Sequence, residues 1–170
     1  DPVMVAKSGD KLLPDDAIQA LERELLPLAS IITPNLPEAA VLLGEAPVTE
    51  RRQMPAVAAR LQQKGVANVL LKGGHLDDGD SADLLLHGGE LLWQPAERIA
   101  TRNTHGTGCT LSAAIAAGLA KGLPLPDAVR RAKRYISGAI GAADHLAIGH
   151  GYGPVHHFFK LWPREGERAS

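Results

Sequence analysis

The sequence is poor in three features that would point to particular classes of protein. It holds a single cysteine, Cys109, in 170 residues, which excludes an internal disulfide and favours a reducing, cytoplasmic compartment. Its 18 basic and 19 acidic side chains nearly cancel to a formal charge of -1, so no nucleic-acid partner is indicated. No apolar run approaches the roughly 20 residues that cross a bilayer, and we expect no membrane partner.

The length of the chain suits one domain that can bury a substantial core. We predict this domain over residues 1–160 and a polar tail or linker over residues 161–170. The opening run Asp1-Pro2-Val3-Met4-Val5 has the pattern of a buried strand with no lead-in. We therefore expect the sequence to be part of a longer protein.

Apolar runs alternate with segments of helical spacing along the chain. The runs predict strands at residues 3–7, 30–33, 67–71 and 99–102, and the spacing predicts helices at about 15–26, 37–43, 54–64, 107–121 and 126–140. Two further short strands, 82–87 and 90–93, flank Gly88-Gly89, a dipeptide suited to a hairpin turn. The alternation predicts an α/β fold with a mostly parallel sheet, helices on both of its faces, and one short antiparallel hairpin.

A glycine-rich turn, Gly106-Thr107-Gly108-Cys109, opens the predicted helix at 107–121. The first amides of a helix have no partner within it and lie in a positive field, and glycine lets a phosphoryl group approach them. We interpret Gly106, Thr107 and Gly108 as an anion cradle, and Cys109 as a candidate base whose thiolate that field favours. A tight turn with a buried cysteine is the plainer alternative.

Polar side chains also follow two predicted strands. Asn35 and Glu38 come after residues 30–33, and Lys72 comes directly after residues 67–71. The carboxyl ends of parallel strands share one edge of a sheet, so we expect these loops and the glycine turn to converge on one site. There Glu38, with Asn35, would hold Mg²⁺ through water, and Lys72 would contact a phosphate. A helix-start polar pair and a solvated lysine are the plainer alternatives.

Four segments of the chain occur in a distinctive order: Asp1-Pro2-Val3-Met4, Thr33-Pro34-Asn35-Leu36-Pro37-Glu38, Leu71-Lys72-Gly73-Gly74-His75 and Asn103-Thr104-His105-Gly106-Thr107-Gly108-Cys109-Thr110. Together they closely resemble the hydroxymethylpyrimidine/phosphomethylpyrimidine kinases of thiamine biosynthesis, which belong to the ribokinase-like superfamily. Members of that family are longer on the N-terminal side, so this chain resembles their C-terminal portion.

The resemblance implies ATP-dependent phosphorylation of 4-amino-5-hydroxymethyl-2-methylpyrimidine, and then of its monophosphate, with Mg²⁺ as cofactor. It implies a catalytic Cys109 at the substrate hydroxyl, a catalytic Lys72 near the phosphates, and Asn35 and Glu38 at phosphate and Mg²⁺. It also places Val3 in the pyrimidine pocket. Exposed sheet edges favour association, and we expect a homodimer.

Three other functions remain open at this point. Hydroxyethylthiazole kinases have a similar Gly-Thr-Gly-Cys turn, and pyridoxal kinases are further relatives by resemblance. A truncated, non-catalytic nucleotide-binding module is the third alternative.

Overall fold

A computed structural model describes residues 1–5, 12–76 and 79–162. The chain forms two compact units, Asp1–Arg98 and Ile99–Ser170. Within the described ranges, no helix is both long enough and apolar enough to cross a membrane. Residues 163–170 lie outside the described ranges, so the division into a domain at 1–160 and a tail at 161–170 stays a prediction.

The described residues of the first unit form three α-helices, as the spacing predicts. Helix α1 covers Asp15–Ala20 and continues through a π-helical turn, Leu21–Leu25, and a 3-10 turn, Leu26–Leu28. Helices α2 and α3 cover Leu36–Leu43 and Met54–Gln63, and the 3-10 turn Arg51–Gln53 precedes α3. Their apolar faces join one core, whose most buried members include Met4, Leu42, Met54, Leu61, Val69 and Leu84.

The sheet of the first unit has three antiparallel strands in the order β1-β2-β3. They cover Val69–Leu71, Asp83–His87 and Glu90–Gln94. The predicted hairpin is confirmed, because β2 pairs with β3 across Gly88 and Gly89, whose φ angles are 58° and 83°. Positive φ at both central residues is what a two-residue turn of this kind requires.

The predicted parallel sheet is not confirmed, since parallel pairing among the described residues is limited to isolated bridges, two of them in the first unit. Ile32 pairs with Val69, and Asn35 pairs with Lys72. The strand predicted at 30–33 is thus reduced to a bridge at Ile32. Pro34 has no N–H to extend the ladder, and α2 begins directly after Asn35.

Two other predicted strands are wrong or incomplete within the described residues. At 3–7, Val3 has a φ of 51°, which a regular strand does not allow, and residues 6 and 7 lie outside the described ranges. At 99–102 there is no strand. The amide of Thr101 instead donates to the carbonyl of Ile99 at 3.1 Å, and this local turn takes the place of ladder pairing.

The second unit is built on two helices, α4 over Thr107–Ala120 and α5 over Leu125–Gly141, followed by a 3-10 turn at Ala143–His145. Both helices confirm the predictions at 107–121 and 126–140. They cross closely at Gly118, where an added Cβ would lie 2.9 Å from the Cβ of Ala128. Gly122, with a φ of 78°, follows the end of α4.

Candidate active site

Lys72 lies in a compact charged cluster at the end of β1. Its Nζ donates to Oδ1 of Asp1 at 2.8 Å and lies 3.9 Å from Oε2 of Glu38. The side chains of Asp1 and Glu38 are only 9% and 3% exposed, and the hydroxyl of buried Thr33 also donates to Oδ1 of Asp1, at 3.4 Å. Because water is largely excluded, these charges attract one another more strongly than a surface pair does.

Asn35 and Glu38 form a reciprocal cap at the start of α2. Oδ1 of Asn35 accepts from the amide of Glu38 at 2.7 Å, and Oε2 of Glu38 accepts from the amide of Asn35 at 2.8 Å. This is a capping box, so the helix-start polar pair that the sequence left open is present. Oε1 of Glu38 accepts from the amide of Met4 at 3.3 Å. Each carboxylate oxygen therefore already holds one backbone donor.

The backbone brings the Asn35 and Lys72 loops together. Asn35 and Lys72 form a parallel bridge, and the amide of Lys72 donates to the carbonyl of Pro34 at 2.9 Å. The side chains that follow the two strand ends therefore meet, as the strand-end rule predicts. No pattern in the sequence indicates Asp1 as the partner of Lys72.

Gly73, directly after Lys72, is required by packing. An added Cβ would lie 2.0 Å from the backbone oxygen of Ala82, closer than any real contact. The amide of Gly73 donates to Oδ1 of Asp83 at 3.0 Å, and Asp83 is buried. Asp83 was missed by sequence reasoning, although an acidic residue inside the otherwise apolar segment 82–86 is a usable signal.

Val3 is held in an unfavourable backbone conformation beside this cluster. Its φ of 51° is uncommon for any residue other than glycine and is a genuine outlier for a β-branched side chain. The next residue, Met4, fixes the chain, because its amide bonds to Glu38 and its carbonyl accepts from Leu12 at 2.8 Å. Val3 itself is 44% exposed. Strain of this kind is found preferentially where a ligand is bound.

The turn before α4 keeps several donors open. Gly106 is the N-cap, with a φ of 84° and no side chain to cap the helix, and the amide and hydroxyl of Thr107 both donate to the carbonyl of Thr104. The amides of Gly108 and Cys109 have no acceptor among the described residues. Cys109 is a free, exposed thiol, so the buried-cysteine alternative is wrong.

Asn103 fastens the chain just before this turn. Its Nδ2 donates to Oδ1 of Asp144 at 2.9 Å, and its Oδ1 accepts from the amide of Gly153 at 3.1 Å. A Cβ at Gly153 would lie 2.1 Å from that same Oδ1, so a larger residue there would displace the Asn103 amide from this contact. Asn103 therefore ties the glycine turn to two later parts of the second unit.

The predicted site residues are divided between the two units. Val3, Asn35, Glu38 and Lys72 belong to the first unit, and Gly106, Thr107, Gly108 and Cys109 belong to the second. The structure brings Asn35, Glu38 and Lys72 together. That all three loops meet at one site stays a prediction.

Comparison with known proteins decides the family. A model of the family described as phosphomethylpyrimidine kinase matches residues 1–156. The chain belongs to the phosphomethylpyrimidine kinase family. A relative named hydroxymethylpyrimidine/phosphomethylpyrimidine kinase, from Rhizobium meliloti (strain 1021), is 57% identical over 162 residues, which are 95% of this chain. The chain spans 61% of the length of that relative.

Solved structures of related kinases share the fold. An ADP complex of Bacillus subtilis pyridoxal kinase is 37% identical, with a TM-score of 0.85, over 95% of this chain and 60% of its own. Phosphomethylpyrimidine kinase from Clostridium difficile 630 is 41% identical, with a TM-score of 0.69, over 82% of this chain and 55% of its own. The resemblance read from the four sequence segments is therefore confirmed at the level of the family.

Proposed function

We propose that this chain carries the phosphoryl-transfer chemistry of ATP-dependent hydroxymethylpyrimidine and phosphomethylpyrimidine phosphorylation in thiamine biosynthesis. The observation that carries the proposal is the exposed Cys109 thiol at the start of α4, beside the amides of Gly108 and Cys109 that no described residue satisfies. A base and an array of anion-binding donors occupy one helical turn. The family match and the name of the Rhizobium relative support this choice of reaction.

In the proposed step, Cys109 acts on the substrate hydroxymethyl group. The hydroxyl oxygen attacks the γ-phosphorus of ATP, the bond from that phosphorus to the ADP oxygen breaks, and the Cys109 thiolate takes the hydroxyl proton. The turn Gly106-Thr107-Gly108 surrounds the transferred group with main-chain donors. The amide of Thr107 already donates to Thr104 at 3.3 Å, so Gly108 and Cys109 supply the stronger contacts.

Lys72 is proposed to contact the phosphates as a point charge. Its partners Asp1 and Glu38 hold the ammonium at 2.8 Å and 3.9 Å, which fixes its place before a nucleotide arrives. Val3 is proposed to line the pyrimidine pocket. The strained backbone at Val3 supports that role, because such strain persists only where the surroundings impose it.

Glu38 and Asn35 are the residues proposed to hold Mg²⁺, and their chemistry fits this ion. Mg²⁺ keeps several waters and takes one or two carboxylates together with substrate phosphates, so a larger protein cage is not needed. Both oxygens of Glu38 already accept from backbone amides, which favours contact through water. When bound, Mg²⁺ neutralises charge on the phosphates.

The decisive experiment replaces Cys109 by serine and supplies ATP with hydroxymethylpyrimidine. We expect turnover to fall by about 10²- to 10⁴-fold, the loss expected of a general base, while ATP affinity stays nearly constant. Ala113→Ser is the matched control, since it adds a hydroxyl at an exposed position of the same helix. Unchanged turnover in Cys109→Ser would remove Cys109 from the mechanism.

Pyridoxal phosphorylation is a second candidate, favoured by the TM-score of 0.85 to a pyridoxal kinase. The two functions separate when the protein is given each alcohol in turn with ATP, with hydroxyethylthiazole as a third. A higher kcat/KM for hydroxymethylpyrimidine supports the main proposal. A higher value for pyridoxal or for the thiazole overturns it.

We further propose a cytoplasmic homodimer. Strand β3 is an edge strand of the sheet, and its Leu91 and Trp93 are 44% and 40% exposed. An edge of this kind favours association with a second strand. A sedimentation mass equal to one chain would contradict the dimer.

A further inference from the structure

Thr110 occupies a central position in the first turn of α4. Its amide donates to the carbonyl of Gly106 at 2.9 Å, which closes the turn that contains Cys109. Its hydroxyl Oγ1 lies 3.0 Å from Nε2 of His157, a residue 47 positions later in the sequence. A threonine in a helix usually bonds back to a carbonyl of the preceding turn or to water. Here it is paired with an imidazole from outside the helix.

His157 is itself held in place by its backbone. Its carbonyl accepts from the hydroxyl of Tyr135, on α5, at 2.9 Å. The preceding residue, His156, is buried, and its amide donates to the carbonyl of Ala139, also on α5, at 2.9 Å. The imidazole of His157 thus extends from a chain segment that α5 anchors at two points.

The segment 153–157 also pairs with the glycine turn on its other side. The amide of His105 donates to the carbonyl of Gly153 at 3.0 Å, and the amide of Val155 donates to the carbonyl of His105 at 3.2 Å. These bonds fix the residue just before Gly106. The Thr110–His157 contact fixes the residue just after Cys109. The turn is therefore held at both of its ends by the same segment.

We propose that His157 is a positioning residue that acts through Thr110. By holding the first turn of α4, it keeps the Cys109 thiol and the open amides of Gly108 and Cys109 in one fixed arrangement. Its effect on turnover rests on the proposed function. Its effect on the chemical reactivity of Cys109 does not, because that thiol can be followed directly.

The test measures alkylation of Cys109 by iodoacetamide, for which a single cysteine supplies the whole signal. In His157→Ala we expect the alkylation rate constant to fall by about 2- to 10-fold, the equivalent of one net hydrogen bond, and kcat to fall while KM for ATP stays constant. His157→Gln restores both values, since its amide reaches the position of Nε2. His150→Ala, in an exposed part of the same unit, is the matched control.

The pairing itself is tested with Thr110→Val, which removes the hydroxyl but keeps the shape. We expect Thr110→Val to match His157→Ala, and the double variant to lose no more than either single one. Additive losses, or unchanged alkylation in both single variants, would overturn the proposal. If the wild-type chain phosphorylates none of hydroxymethylpyrimidine, pyridoxal and hydroxyethylthiazole, the proposed function fails. The alkylation rates of these variants still decide the role of His157. Thr110→Val and His157→Gln keep the test valid if His157→Ala does not fold.

Discussion

The loop after β1 and the turn before α4 both place glycine beside a candidate catalytic residue, but they use their polar groups in opposite ways. At the first, Lys72 is paired with Asp1 and Glu38, and the amide of Gly73 is bonded to Asp83. At the second, the amides of Gly108 and Cys109 have no acceptor within the described part of the chain, and the thiol is exposed. Folding therefore completes the first loop, whereas the second keeps donors for a ligand.

Because of this contrast, we expect substitutions in the two regions to change different measured quantities. Changes at the Lys72 loop remove contacts on which the fold depends, so they should lower the free energy of unfolding. Changes at the turn before α4 should act chiefly on binding and turnover. The chain has one tryptophan in each unit, Trp93 and Trp162, so the two regions can be followed separately.

The largest stability effect is expected for Gly73→Ala, because its Cβ would overlap the backbone oxygen of Ala82. We expect a loss of about 3 kcal/mol in the free energy of unfolding. Urea denaturation followed by Trp93 fluorescence, with Trp162 replaced by phenylalanine, measures it. Gly74→Ala is the control, since its nearest neighbour, the Cβ of Ser81, would be 4.0 Å away. Equal stability of the two variants would contradict the conclusion that packing against Ala82 requires glycine at position 73.

An intermediate effect is expected for Glu38→Ala. This change leaves the amides of Asn35 and Met4 without their acceptor and the charge of Lys72 less compensated. We expect a loss of about 2 kcal/mol, and a smaller one for Glu38→Gln, which keeps an acceptor. The same urea measurement applies. Glu90→Ala, on exposed β3, should stay within about 0.5 kcal/mol of wild type. A Glu38→Ala variant as stable as this control would contradict the conclusion that the polar groups of the Lys72 loop are already satisfied by folding.

The smallest stability effect is expected for Gly106→Ala. An added Cβ at Gly106 would meet only Oγ1 of Thr110, at an ordinary contact distance of 3.9 Å, so the cost comes chiefly from the φ of 84° and should be about 1 kcal/mol. Gly106→Asn should cost less, since asparagine tolerates this conformation better. Denaturation followed by Trp162, with Trp93 replaced by phenylalanine, gives both values. If Gly106→Ala lowers the free energy of unfolding as much as Gly73→Ala does, the turn before α4 contributes to stability like the Lys72 loop, and the contrast between them is wrong.

Helix starts and tight turns could be predicted from the sequence, because they depend on residues that are close together in the chain. The α2 start follows from the Asn35 and Glu38 spacing, and the β2–β3 hairpin follows from Gly88-Gly89, because caps and turns are set within a few residues. Strands are less predictable, since each depends on a partner. Residues 30–33 have strand composition, yet Pro34 and the start of α2 leave a single bridge at Ile32.

In the candidate site, too, the contacts that follow a local or general pattern could be predicted and those between distant residues could not. The meeting of Lys72 with Asn35 and Glu38 was predictable, because a general rule places loops at the carboxyl ends of neighbouring strands. The contacts between Lys72 and Asp1, and between Thr110 and His157, join residues 71 and 47 positions apart. No local pattern encodes such pairs, since they arise from tertiary packing.

The tilt of α4 is set at Gly118, where it crosses α5 closely, so a small change of tilt at this pivot moves the start of the helix. Cys109 lies nine residues before that pivot, or about 13 Å along the axis at the usual rise, so a tilt of about 5° would displace the thiol by about 1 Å. An error of that size at reacting atoms can cost about a hundredfold in rate. A bulkier residue at Gly118 or Ala128 could therefore impair catalysis from a distance, in a chain that still folds.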